Sequence, residues 1–256
     1  MRKLILATGC DDRYIKNIEP YLKSIEKNSN FDLNLFILLS NTKYEYQSNN
    51  IKTLMMLPNK FKYKTKINCL QHGEFLDSEM FDDFVKDDDV IFYTDGDIIL
   101  QRSLNTSEYE WFKNINHDEV MIGYNASIDD NLKLEFDRLS PQKNLSFELM
   151  NDFSKIKCYN TGVMGMTKKT WRKLLMFYGP LFPKINQTLQ HYAKQQWLIC
   201  FVFGTQGFKI TELNYDIHNH KHYVSPMGTE LRDDKMVYYN NKLVLFRHAW
   251  EKNHSI

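Results

Sequence analysis

Two carboxylates separated by one glycine, Asp95-Gly96-Asp97, follow the apolar run Val90-Ile91-Phe92-Tyr93-Thr94 and precede Ile98-Ile99-Leu100. Such a run has the character of a strand buried on both faces. Open α/β sheets meet their ligands outside the carboxyl ends of their strands, which is where these acids fall. Gly96 lets the backbone turn so that both acids project into one place. Held that close, two ionised carboxylates raise one another's pKa unless a cation lies between them. A hard divalent ion with oxygen ligands removes the conflict and can bridge to phosphate. An Asp-x-Asp triplet is common and taken alone reads as a solvated turn, but apolar residues on both sides make an exposed turn less comfortable here.

Other residues of chemical interest lie far away in the chain. His248 stands where a strand ends, in Leu245-Phe246-Arg247-His248-Ala249-Trp250-Glu251-Lys252. A lone histidine at a strand end is by itself more often structural than a ligand. Asn160-Thr161-Gly162 reads as a turn or as a polar group beside a point of close approach. Gln196 interrupts an otherwise apolar helix face, where an unpartnered amide costs about 1 to 3 kcal/mol, so it needs an internal partner or a ligand. His218, His220 and His222 alternate and invite a zinc reading, against which exposed or ligand-contacting histidines are the simpler expectation.

The elements that must position these groups alternate between short apolar runs and helical patterns, the signature of a mainly parallel sheet flanked by helices. Strands are expected at Lys3 to Ala7, Leu33 to Leu39, Ile51 to Leu57, Val90 to Thr94, Val120 to Tyr124, Val163 to Met166 and Lys209 to Leu213. A C-terminal hairpin is expected where Met236 to Tyr239 and Leu243 to Arg247 flank Asn240-Asn241, a pair that tolerates positive φ. Trp171, Leu174, Leu175 and Tyr178 predict a helix from Lys168 to Phe177 capped by Thr167. A second helix is expected from Leu189 to Phe203, and Pro20 opens or kinks a third carrying Leu22 and Ile25. The polar stretch 125–160 reads as an active-site loop or lid.

The 256 residues suit one α/β domain, with a first half at 1–110 and a second at 111–256. Lys and Arg number 33 against 32 Asp and Glu, so no strong overall field points to nucleic acid as the partner. No run of about eighteen apolar residues predicts an integral membrane segment. Met1 to Ala7 is too short for a signal peptide and reads as a first strand. Cys10, Cys69, Cys158 and Cys200 show no paired spacing, which leaves a reducing, cytoplasmic setting as the default.

Four segments together resemble the GT-A fold glycosyltransferases, closest to the family of glycogenin and the bacterial galactosyltransferases, which are retaining Asp-x-Asp enzymes. The resemblance implies a single Rossmann-like GT-A domain. Ala7-Thr8-Gly9-Cys10-Asp11-Asp12-Arg13-Tyr14 is similar to the family's first strand and nucleotide loop, which implies a nucleotide-binding role for Ala7 and Thr8. An acidic residue, Asp11 or Asp12, would then read the base and Tyr14 would stack on it. Val90 to Leu100 resembles the Asp-x-Asp segment, implying that Asp95 contacts ribose and metal and Asp97 coordinates metal. Tyr159 to Met166 resembles the strand that reaches the donor sugar, implying sugar contacts from Asn160 and Thr161 and close approach at Gly162. The tail resembles the motif that completes metal binding with His248 and supplies Lys252 to the diphosphate, although the Lys is nearer the His here and no Pro-Trp follows it.

Gln195-Gln196-Trp197-Leu198 lies where the family carries Asp-Gln-Asp. Both acids are replaced; the resemblance implies that Gln196 takes the place of the family's Gln near the anomeric carbon and that Gln195 would contact the donor sugar. The implied reaction is transfer of a sugar from a nucleotide-diphosphate sugar, UDP-linked by expectation, to a carbohydrate or glycoconjugate hydroxyl. Mn²⁺ would be the leaving-group catalyst, since an imidazole added to two carboxylates suits it well and Mg²⁺, which prefers all-oxygen shells, less so; Asp97 and Gln196 would stand at the reacting centre with retention of configuration. An inverting route would need a carboxylate base such as Asp129, Asp130, Glu148 or Asp152. A nucleotidyltransferase would need a Gly-rich phosphate loop near the amino terminus, and a haloacid-dehalogenase phosphatase would place its Asp-x-Asp on the first strand. A catalytically silent sugar- or nucleotide-binding protein on the same fold is the rival of another class.

Overall fold

The computed structural model describes residues 2–9, 18–32, 36–39, 46–48, 50–51, 54–57, 79–124, 131–132, 153–188, 194–220 and 226–248. Its centre is a seven-stranded sheet made of β1 (Leu4–Gly9), β2 (Phe36–Leu39), β3 (Leu54–Leu57), β4 (Val90–Asp95), β6 (Glu119–Tyr124), β7 (Tyr159–Thr167) and β8 (Lys209–Leu213), in the order β3-β2-β1-β4-β7-β6-β8. β1 runs parallel to β2 and β4, β2 to β3, and β6 to β8, whereas β7 is antiparallel to both its neighbours. The mixed α/β class and the mostly parallel sheet agree with the alternation of apolar runs and helical patterns.

Strand periodicity divides the core. Ile5, Ala7, Ile91 and Tyr93 point into a cluster with Trp171, Leu174 and Tyr178 of α4 (Lys168–Thr188) and Trp197 to Phe203 of α5 (Lys194–Thr205). Leu4, Leu6, Val90 and Phe92 face the other way, against Tyr21, Leu22 and Ile25 of α1 (Glu19–Asn28) and Phe112 of α3 (Thr106–Lys113). Burial on both faces is why β1 and β4 read as unbroken apolar runs. Gly165 on β7 belongs to this packing, since a Cβ there would lie 2.2 Å from the ring of Phe92.

Helix limits depart from the sequence pattern in instructive ways. Pro20 sits in the first turn of α1, where no N–H is required, so it opens the helix rather than kinking it. Thr167 accepts from the Thr170 amide at 3.2 Å, as an N-cap does. α4 does not stop near Phe177 but continues through Pro180 and Pro183 to Thr188. Each proline removes a helix donor, yet Tyr178, Leu181, Phe182 and Ile185 continue the apolar face, and their packing outweighs that loss. α5 is buried continuously from Trp197 to Phe203 rather than along one stripe, and the expected start at Leu189 falls outside the described residues. α3 was not expected, although Asn105 and Glu108 form a reciprocal capping box at its start.

Two small sheets complete the architecture. β10 (Thr229–Leu231), β11 (Val237–Tyr239) and β12 (Lys242–Leu243) form one, with Asn240 and Asn241 at φ 47 and 65 in the β11–β12 turn. The hairpin is therefore present but shorter than expected. After Leu243 the chain leaves it, and β13 (Phe246–His248) lies between β5 (Ile98–Leu100) and β9 (His218–His220). Among the described residues no helix is long and apolar enough to cross a membrane.

Lys168 ties the start of α4 to α2 (Glu79–Phe84). Its buried ammonium bonds the Asp82 carboxylate and the Val85 carbonyl, and Arg172 reaches the same carboxylate at 2.8 Å. The Lys168 hydrogen bond foremost, and then both cations, hold the Asp82 carboxyl below its ordinary pKa. A depressed carboxylate contributes stability above its unfolded pKa of about 3.9 and loses it as pH falls through the folded value. Asp82→Ala is therefore expected to lower the urea midpoint at neutral pH, with the difference from wild type shrinking as the titration is repeated toward about pH 3.

Candidate metal centre

β4 is central in the sheet, hydrogen-bonded to β1 on one side and β7 on the other, and buried from Val90 to Thr94. Thr94 is clamped on both flanks: its carbonyl accepts from the Thr8 hydroxyl at 2.7 Å, and its own hydroxyl bonds the buried Tyr21 phenol. Burial foremost pushes that Tyr21 hydroxyl far above its ordinary pKa. Asp95 thus leaves a rigid strand end, and the chain turns through Gly96 and Asp97 into β5. Because β5 pairs antiparallel with β13, Ile98 stands opposite His248. This pairing brings the tail's histidine beside the Asp-x-Asp turn, with His248 Nε2 3.3 Å from Asp97 Oδ1.

Asp95, Asp97 and His248 each offer a ligand atom, and the three atoms lie within 4.8 Å of one another. Two oxygens and one nitrogen in that space can hold a divalent cation. Burial pushes the His248 pKa down, but the charge and hydrogen bond of Asp97 and the charge of Asp95 outweigh it and raise the value above the ordinary one. The carboxylates thus favour the imidazolium form, and a proton competes with a cation for the ring.

The backbone leaves room for this group at one place. β6 and β7 pair regularly as far as Ile122 opposite Met164; then Gly123 faces Asn160, so the β6 register passes over Thr161, Gly162 and Val163. That irregularity bends Asn160-Thr161-Gly162 toward the end of β4. A Cβ on Gly162 would lie 2.7 Å from His248 Cε1, 2.9 Å from Asn160 Oδ1 and 3.0 Å from Asp95 Oδ2. The Asn160 side chain accepts from the Gly162 amide at 2.9 Å. Thr161 directs its amide at Gln196 Oε1, 3.5 Å away, and Gln196 Nε2 is 3.9 Å from Cys158 Sγ. Both contacts are at the long limit, so Gln196 is near Asn160-Thr161-Gly162 and only weakly held. Gln195 is half-buried at the start of the same helix.

Other expected site residues fall differently. Ala7 and Thr8 have buried side chains, and the Thr8 hydroxyl is used inside the sheet, which narrows any nucleotide contact there to the backbone. Asp11, Asp12, Tyr14 and Lys252 lie outside the described residues, as do Asp129, Asp130, Glu148, Asp152 and His222.

His218 corrects the expectation of exposed histidines. It is fully buried on β9, its ring centroid is 5.7 Å from that of His248, and a Cβ on Gly123 would come within 2.3 Å of its Nδ1. Burial, and secondarily the charge of His248, hold its pKa well below 6.5, which favours its neutral form. No spacing in the chain signals that His218 and Gly123 meet. Gln101 was likewise missed: it is buried, donates to the Val237 and Val244 carbonyls and accepts from the Val237 amide, fastening the segment that leads into β13.

No family model and no curated protein matches the chain. Among solved structures, it is similar to the galactosyltransferase LgtC in complex with donor and acceptor sugar analogues, with a TM-score of 0.57 and 14% sequence identity over 97% of this chain and 87% of that one. The fold is shared. At that identity the likeness speaks for the architecture, while the site must be argued from its own side chains.

Gly162→Ala is expected to weaken binding of a divalent cation, probed with Mn²⁺, by about tenfold or more, because the added methyl meets two of the three groups that could hold it. Titration calorimetry on both proteins checks this. Since His248 must lose a proton, affinity in the wild type is also expected to rise between about pH 6 and about pH 8.

Proposed function

We propose that this protein is a metal-dependent glycosyltransferase that moves a sugar from a nucleotide-diphosphate sugar, with a UDP-sugar as first expectation, to an acceptor hydroxyl of a carbohydrate or glycoconjugate. The observation that carries the proposal is the convergence of Asp95, Asp97 and His248, from segments some 150 residues apart, at the carboxyl end of the sheet. The fold shared with a galactosyltransferase supports it. In this reading residues 1–110 bind the nucleotide and residues 111–256 the sugar and acceptor.

The donor set of two carboxylates and one imidazole fits Mn²⁺ better than Mg²⁺. A cation bound there would neutralise charge developing on the departing diphosphate. The protein's own groups then divide the remaining work. Asp95 and Asp97 hold the cation, with Asp95 also within reach of a ribose, and His248 completes the set from the tail. Asn160 and Thr161 present polar groups to the donor sugar along a backbone that Gly162 keeps open. Gln195 and Gln196 lie next to that segment, and Gln196 would steady the face of the sugar opposite the diphosphate. A carboxamide there cannot serve as a base, which favours attack from the leaving-group side and retention of configuration. Asp11 or Asp12 with Tyr14 would read the base, and Lys252 would meet the diphosphate.

A thermal-shift screen of nucleotide-diphosphate sugars with and without Mn²⁺ tests the proposal. The cognate donor should stabilise the protein by about 2.7 kcal/mol at a hundredfold excess over its Kd. That stabilisation should require Mn²⁺ and vanish in Asp97→Asn. Stabilisation that ignores the metal would sink the reading, and cation-dependent binding without transfer to any acceptor would favour the silent binding protein instead. NMR of the anomeric proton in the product decides between retention and inversion.

A further inference from the structure

Tyr93 precedes Asp95 by two residues on β4, so their side chains leave the strand on the same face. The ring of Tyr93 is buried with Ala7, Ile122 and Met164, and its hydroxyl reaches up the strand to donate to Asp95 Oδ1 at 2.8 Å. The other oxygen, Oδ2, faces Gly162, where an added Cβ would lie 3.0 Å from it and 2.7 Å from His248 Cε1. The two oxygens of this carboxylate are thus distinguished: one belongs to the phenol and the other faces the remaining ligands.

We propose that Tyr93 is a positioning residue for the cation centre, committing Asp95 to bind the cation through Oδ2 alone. This inference rests on reading Asp95, Asp97 and His248 as cation ligands. A carboxylate at a strand end keeps one soft rotation, about the bond to its carboxyl carbon, and the strand itself does nothing to stop it. Thr94 locks the backbone from the opposite face through Thr8 and Tyr21. Tyr93 supplies the missing restraint on the carboxylate from a ring that packing already immobilises. It also donates to a charged acceptor without adding charge, so it eases the crowding of Asp95 beside Asp97 while leaving the attraction for a cation in place. Groups that orient ligands in this way tune metal affinity although they never touch the metal.

The test compares the full-length wild type with Tyr93→Phe, which keeps the ring and removes only the hydroxyl. Tyr238→Phe is the control, because Tyr238 donates to Asp234 at 2.9 Å in the same kind of bond on an exposed hairpin. Mn²⁺ is titrated without nucleotide, reading free Mn²⁺ by electron paramagnetic resonance, and metal-free unfolding is measured in parallel. Tyr93→Phe is expected to bind Mn²⁺ roughly 10- to 100-fold more weakly, with Tyr238→Phe indistinguishable from wild type. If Tyr93→Phe does not fold, Tyr93→Met offers similar apolar bulk without a hydroxyl for the same comparison. Unchanged Mn²⁺ affinity in a folded Tyr93 variant overturns the positioning role and leaves the cation centre standing. A wild type that binds no Mn²⁺ overturns the centre and the positioning role together.

Discussion

Asp95 and Asp97 stand at the end of a strand whose preceding side chains are shielded from water, and two negative charges so placed require positive charge beside them. The protein brings that partner from the opposite end of the chain. His248 lies 3.3 Å from Asp97, and its pKa rises despite burial because the two carboxylates favour its charged form. The same attraction that favours an imidazolium can hold a divalent cation once the proton leaves. Much of the second half of the chain follows from this need. β13 must be held against β5, and Gln101 contributes by bonding the Val244 carbonyl just before β13 and both backbone groups of Val237 on β11, while Arg102 spans Glu108 and the Leu243 carbonyl.

Crowding shapes the centre as much as charge does. Two imidazoles, two carboxylates and the bent start of β7 share a small volume, and glycine stands where backbone comes closest to a ring. Gly162 faces His248 and Asp95, and Gly123 faces His218. The register break between β6 and β7 makes the first approach possible by freeing three residues of β7 from the β6 ladder. His218 stays neutral in this setting because burial opposes a second positive charge beside His248. With His218 neutral, the tilted pair of imidazoles avoids the repulsion of two charged rings.

The strands buried on both faces were legible in the sequence because burial demands unbroken apolar runs, and β4 with its terminal acids was the clearest of them. Helix ends were less legible. Local propensity ends α4 near its prolines, but Tyr178 to Ile185 find a packing surface that the chain pattern does not display. Similarly, Asn240-Asn241 announced a turn correctly, yet the strand after it changes partner from the hairpin to β5. Hydropathy reports that a segment is buried and says nothing about which neighbour buries it.

The same division applies to the centre. Through the resemblance of its tail the sequence offered His248 as a companion ligand, and by itself it determined the α/β class and the position of Asp95 and Asp97 at a strand end. These follow from residue type and short-range periodicity, which any window of the chain carries. Only the tertiary structure decided that His248 meets Asp97, that Gly162 leaves space beside His248 and Asp95, that His218 is buried nearby, and that Tyr93 holds one oxygen of Asp95. Each depends on strand order and register between segments far apart in the chain, and a one-residue slip would turn those side chains to the opposite face.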